Sequence, residues 1–182
     1  MKSLFIDTTN NKIVLAYLVD DVLKDSIIVE AKNKISDVID ITLKQFLDKQ
    51  NVRLNELTTF YVTKGPGTFT GVRIGLSIVK TIWTINKDIK VYSINTMQLM
   101  AGIKQTAVAI DARGNKHFFA NLSNGEFVDE IALLQDDKLP TTNIVKNTDS
   151  INYVKNFEEV KKNFILEKDI TNFNPIYIKK AI

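Results

Sequence analysis

One run of residues occurs twice in this chain, and the second copy limits the fold more than anything else in it. Ile6-Asp7-Thr8-Thr9-Asn10-Asn11-Lys12-Ile13-Val14-Leu15-Ala16-Tyr17-Leu18 aligns with Ile110-Asp111-Ala112-Arg113-Gly114-Asn115-Lys116-His117-Phe118-Phe119-Ala120-Asn121-Leu122 at a constant offset of 104 residues. Ile, Asp, Asn, Lys, Ala and Leu coincide. Asp25 and Asp129 keep the offset, and Gly125-Glu126-Phe127-Val128 falls where a third strand of the second copy should begin. A fixed offset of this kind means two copies of one supersecondary unit, here strand-turn-strand-turn-strand. The chain is therefore expected to be an α/β protein of two lobes, 1–103 and 104–182.

In the first copy, Leu4 to Thr9, Lys12 to Val19 and Val22 to Glu30 read as an antiparallel meander with turns at Asn10-Asn11 and Asp20-Asp21. Ile35, Val38, Ile39, Thr42, Leu43, Phe46 and Leu47 then recur at spacings of three and four, predicting an amphipathic helix from Ser36 to Lys49 with Asp37 in its first turn. Lys90 to Ile94 reads as a strand and Thr96 to Ile103 as a short helix. After Leu134 the chain turns polar: Asn143 to Asn147 reads as a strand, Phe157 to Leu166 as a helix and Pro175 to Lys180 as extended chain, so the second lobe is the thinner one.

Between these elements lies Thr63-Lys64-Gly65-Pro66-Gly67-Thr68-Phe69-Thr70-Gly71-Val72-Arg73-Ile74-Gly75. Thr58 to Thr63 alternates like a half-buried strand, and Gly65-Pro66-Gly67 must end it. Thr68 or Thr70 can cap the helix that follows, predicted over Thr70 to Asn86. A glycine-rich strand-loop-helix junction suits an anion. The residues after Gly71 rule out a P-loop, however, and the missing third glycine rules out the dinucleotide fingerprint. Residue physics alone reads the loop as a tight connection that lets a helix pack close to a sheet. In that helix Val72, Leu76, Val79 and Trp83 form one apolar line, and Ile74, Ile78, Ile82 and Ile85 another. We assign the line with tryptophan to the protein's own sheet. The isoleucine line, with Ile39 and Phe46 of the preceding helix, is assigned to a partner interface.

Composition closes off several functions. The chain has no cysteine, so it has no disulfide, thiol nucleophile or thiolate metal site. Its net charge is +3 with lysines scattered rather than striped, so direct nucleic-acid binding is poorly supported. Met1 to Asp7 reaches a charge too early for a signal peptide and no apolar run approaches a membrane span, so a cytoplasmic, membrane-free chain is expected. His117 is the only histidine. That excludes a paired-histidine zinc peptidase and leaves a rim or core role. Asp7 and Asp111 read either as a metal or acid-base pair or as turn carboxylates capping nearby N–H groups. We assign no catalytic residue, metal or cofactor.

Duplicated units, each opening on a strand that ends in Ile-Asp, resemble the ASKHA superfamily of actin, sugar kinases and heat-shock chaperones. Within it, Gly65-Pro66-Gly67-Thr68-Phe69-Thr70-Gly71-Val72-Arg73-Ile74-Gly75 is similar to the signature of the bacterial TsaB (YeaZ) family, as are Ile6-Asp7-Thr8, Ile110-Asp111-Ala112-Arg113 and Pro175-x-Tyr177-Ile178-Lys179. The resemblance implies two actin-like (ribonuclease H-like) lobes, the second reduced. It further implies a non-catalytic partner of the related subunit TsaD in forming threonylcarbamoyladenosine on tRNA. The ATPase TsaE would join the assembly, tRNA would be met only through the complex, and the chain alone would be a homodimer. Asp7-Thr8-Thr9 lacks glycine and Asp111-Ala112-Arg113 carries a cation in its tight turn, so both resemble degenerate phosphate turns, with Arg113 placed to pair with either carboxylate. A small ATPase or kinase with nucleotide between the lobes is the alternative. Many family members carry a histidine where Lys32-Asn33-Lys34 stand, and most run longer in the second lobe.

Overall fold

Apolar-rich runs over the first thirty positions build three strands of one sheet, the first two buried on both faces. In the computed structural model, which describes residues 1–31 and 34–178, these are β1 (Lys2–Asp7), β2 (Lys12–Val19) and β3 (Val22–Glu30). They pair antiparallel in chain order. Two crossovers add parallel strands: α1 (Ile35–Lys49) leads to β4 (Thr59–Thr63) beside β1, and α2 (Phe69–Ile85) leads to β5 (Lys90–Ile94) beside β4. Helix α3 (Thr96–Ala101), with its N-terminus capped by Asn95, connects to the second lobe.

That lobe repeats the plan in shortened form. β6 (Thr106–Asp111), β7 (Lys116–Ser123) and β8 (Glu126–Phe127) form the antiparallel meander, β9 (Ala132–Gln135) pairs with β7, and β10 (Ile144–Lys146) lies parallel to β6. No counterpart of β5 follows β10 among the described residues. Where α1 stands in the first lobe, the second has β9 and a single 3₁₀ turn. The two lobes expected from the repeat are thus present, in the actin-like plan that the resemblance implies, and the second is reduced. The copies differ by one residue in the turn: Ile6 lies opposite Leu15, while Ile110 lies opposite Phe118 rather than Phe119.

The helix read over Phe157 to Leu166 is corrected. α4 runs over Tyr153–Val160, followed by a 3₁₀ turn and by β11 (Ile165–Leu166), which pairs with β5. Tyr153, Phe157, Val160 and Phe164 keep helical spacing and are all buried, so the apolar period continues past the point where the backbone extends. The start was missed because it rests on a cap, Asn152 accepting from the Lys155 N–H.

Two apolar cores result. Helices α1 and α2 cover one face of the first sheet, with Ile170 and Phe173 of the C-terminal segment joining them. The other face packs through α3 and α4 onto Val108, Ile110, Ala120 and Leu122 of the second sheet. Phe5 stacks on Phe157 at 4.2 Å, with Phe164 edge-on to both. This shared core joins one lobe to the other, and a cleft lies at the turn ends of β1 and β6.

Candidate functional site

The turn after β1 is where a phosphate-binding strand loop would lie in this architecture, and here it is filled from within the chain. Asp7, Thr8, Thr9 and Asn10 are all buried. Asp7 Oδ1 accepts from the Thr9 N–H at 2.9 Å, from the Thr9 hydroxyl at 2.6 Å and from the Thr63 hydroxyl. The Thr8 hydroxyl inserts into the ladder of α2, donating to the Gly71 carbonyl at 2.7 Å and accepting from the Gly75 N–H at 3.1 Å. The Thr68 N–H donates to the Thr9 carbonyl at 2.7 Å, and the Thr68 side chain caps the Gly71 N–H.

These contacts explain the glycine spacing. A Cβ on Gly67 would stand 2.3 Å from the Thr9 carbonyl oxygen, one on Gly71 2.0 Å from that of Thr8, and one on Gly75 2.9 Å from the Thr8 hydroxyl. The motif is a docking surface for the first turn. Gly65 and Pro66 are buried and line the entry of the loop, where the Gly65 carbonyl accepts from the Thr96 N–H.

Burial is the largest influence on Asp7 and raises its pKa above the ordinary carboxylate range, against the lowering by its hydroxyl and N–H donors. A carboxyl with a raised folded-state pKa binds more protons folded than unfolded between the two values. Its contribution to stability is therefore present at low pH and falls as pH rises through that window. Asp7→Asn should remove this dependence: the stability difference between variant and wild type, measured by urea unfolding from pH 4 upwards, should shift in the variant's favour as pH rises. A pH-independent difference would contradict it.

The second turn is open. Asp111, Arg113 and Gly114 are exposed, and Asp111 Oδ1 accepts the Arg113 N–H at 2.7 Å. The expected ion pair is absent: among the described residues Arg113 contacts neither Asp7 nor Asp111 as a salt bridge, because Asp7 is sealed beneath the glycine loop. Asp7 is buried and Asp111 exposed, and among the described residues no group of three or more His, Cys, Asp or Glu side chains is placed to hold a metal ion. His117 is half-buried on β7, with Nδ1 2.9 Å from Asp136 Oδ1, a contact without hydrogen-bond alignment. Between the two turns lies a cleft of about 510 Å³, lined by Asn10, Thr68, Arg113, Phe118 and Ile176 among others.

The predicted partner residues divide. Ile39, Phe46 and Ile82 are buried in the chain's own core, Ile74 and Ile78 are half-buried, and Ile85 is 81% exposed. The buried arc of α2 is wider than one line because the helix packs on both the sheet and α1, which draws Ile82 inward. Trp83, assigned to the core, is instead half-buried, with the Lys87 ammonium 3.2 Å from its ring centre. Ile41 of α1, 59% exposed, is a further candidate that the sequence reading did not include. Ile41 falls out of phase with the core period of α1, and that was the available signal. Lys32, Asn33, Lys179 and Lys180 lie outside the described residues, and so does much of the departure from the family's histidine position. No described helix is long and apolar enough to cross a membrane.

Comparison with known proteins supplies what geometry alone does not. A family model described as TsaD, tRNA N6-adenosine threonylcarbamoyltransferase, matches residues 29–163. An uncharacterized protein of Mycoplasma pneumoniae is 29% identical over 193 residues, covering 98% of this chain and 95% of that one. The tRNA threonylcarbamoyladenosine biosynthesis protein TsaB of Bacillus subtilis is 30% identical over 102 residues, 56% of this chain and 44% of the relative. In fold, the chain is similar to a crystal structure of an uncharacterized protein with similarity to peptidase YeaZ from Pseudomonas aeruginosa, with a TM-score of 0.78, 16% identity and coverage of 98% and 99%. The family match spans both lobes, so this chain belongs to the TsaD family, and TsaB-named proteins are among the relatives it is similar to in sequence.

Proposed function

We propose that this chain works in threonylcarbamoyladenosine formation on tRNA as a non-catalytic cytoplasmic subunit that pairs with TsaD. In this reading TsaE joins the assembly, tRNA is met only through it, and the chain forms a homodimer when alone. One observation carries the non-catalytic part: Asp7, the carboxylate an active nucleotide site needs, is 2% exposed and committed to Thr9 and Thr63. The exposed Ile85 and Ile41, with the half-buried Ile74 and Ile78, support docking of a partner on α1 and α2. Asp111→Ala and His117→Ala should each leave reconstituted tRNA modification near wild type. Complete loss of activity with an unchanged circular-dichroism melt would overturn the non-catalytic assignment.

The cleft of about 510 Å³ favours a second reading, nucleotide binding between the lobes by a small ATPase or kinase. Tight, magnesium-dependent nucleotide binding with turnover, measured by calorimetry on the isolated chain, would decide for it.

A further inference from the structure

The last described residues do not simply trail off the fold. From Thr171, whose carbonyl oxygen accepts from Lys80 Nζ at 3.3 Å, and past Phe173 in the core, the chain runs back along one flank of α2 to Tyr177 beside Arg73. The Ile176 N–H donates to the Lys64 carbonyl at 2.7 Å, which fixes this segment across the start of the glycine loop. Pro175 to Ile178 form one wall of the cleft between the lobes, facing Asn10, Ile110, Arg113 and Phe118. The segment has no regular secondary structure, so it is held by these few contacts.

Its outer end is fastened by one side chain. Arg73 donates to the Tyr177 hydroxyl from Nε at 3.0 Å and from Nη2 at 2.8 Å, and its guanidinium stacks on the Phe69 ring at 3.5 Å from the centre. A planar forked donor can do both at once, whereas a lysine ammonium could not reproduce the pair of bonds with the stack. Both rings are more than half exposed, so the fastening sits at the surface, where it can open without disturbing either core.

We propose that residues 174–178 are a strap over the interlobe cleft, latched by Arg73 to Tyr177, and that release of the latch opens the cleft to solutes. This stands apart from the partner assignment, since it concerns only contacts within the chain.

The test uses the full chain and compares wild type with Tyr177→Phe, which keeps the ring and removes the acceptor, and with Arg73→Lys. Losing hydrogen bonds to a charged group should speed hydrogen exchange at the Ile176 amide by about tenfold, while the amides of β4 and β5 keep their rates. Because the chain has no native cysteine, a single Phe118→Cys probe reports on cleft access. Its reaction with a soluble aromatic disulfide should accelerate to a similar degree when Tyr177→Phe is added. Unchanged exchange at Ile176 in both variants would overturn the latch, and faster exchange with an unchanged thiol rate would overturn its control of the cleft. If Phe118→Cys does not fold, Ile176 exchange in the cysteine-free variants still decides the latch.

Discussion

Val79→Glu should leave the first lobe unfolded. Val79 is 0% exposed at the centre of the surface that α2 presents to the sheet, among Leu76, Ile82 and the residues of β4. A carboxylate there would be buried among apolar side chains. Breaking or omitting the partner of a buried charge costs about 4 kcal/mol or more, a large part of the roughly 5–15 kcal/mol that holds a domain together. Protonating the new side chain would lessen that cost but leave an unpaired polar group in a close-packed core. Circular dichroism should show lost structure or a sharply lowered urea midpoint. Ile85→Glu, at 81% exposure, should melt within about 0.5 kcal/mol of wild type. A Val79→Glu protein that unfolds like wild type would mean that α2 turns a different face to the sheet.

Gly71→Ala is the second large effect, and here two contributions of opposite sign compete. Alanine favours a helix over glycine by about 1 kcal/mol. The new methyl group, however, would lie 2.0 Å from the Thr8 carbonyl oxygen and 2.6 Å from the Thr68 hydroxyl, and the nearer of these is backbone that cannot turn away. Relief requires parting α2 from the β1–β2 turn, which breaks the bonds of the Thr8 hydroxyl to Gly71 and Gly75. Overpacking of this severity costs about 3 kcal/mol, so the clash wins and the thermal midpoint falls. Gly114→Ala is the control. Nothing lies within 4 Å of its Cβ position, and only its positive φ of 65° resists the change. The expected loss there is about 1 kcal/mol. Equal melting of Gly71→Ala and wild type would contradict the docking role of the motif.

The parts of the fold that could be read from residues are those in which one physical rule acts alone. The 104-residue offset predicted two copies of a meander, and α1 and α2 begin and end within a residue or so of the spans their periodicity predicts. The glycine loop was equally legible as a close-packing device, because steric need for a missing Cβ depends on local geometry. What it packs against was not: Thr8 and Thr9 lie some sixty residues earlier, and only the folded chain brings them together.

The same limit explains the other misses. Ile82 was placed outward because helical spacing counts one neighbouring surface, whereas α2 has two, the sheet and α1. Phe164 kept the helical period, yet its backbone is extended because β11 pairs with β5, a long-range pairing invisible to periodicity. Arg73 falls within the glycine-rich motif, but its partners, Phe69 and Tyr177, are set by the path of the C-terminal segment. Of the proposed interface, only the half-buried Ile74 and Ile78 and the exposed Ile85 remain on the outer surface of α2, with Ile41 of α1 as the added candidate.

The central claim, that this surface receives a TsaD partner, is tested most directly by sedimentation of the purified chain with TsaD from the same organism. The account predicts a heterodimer at micromolar concentration that is lost in Ile85→Glu and Ile78→Glu chains whose melts match wild type. A heterodimer that forms unchanged with both variants, or no association with the wild-type chain, would contradict it.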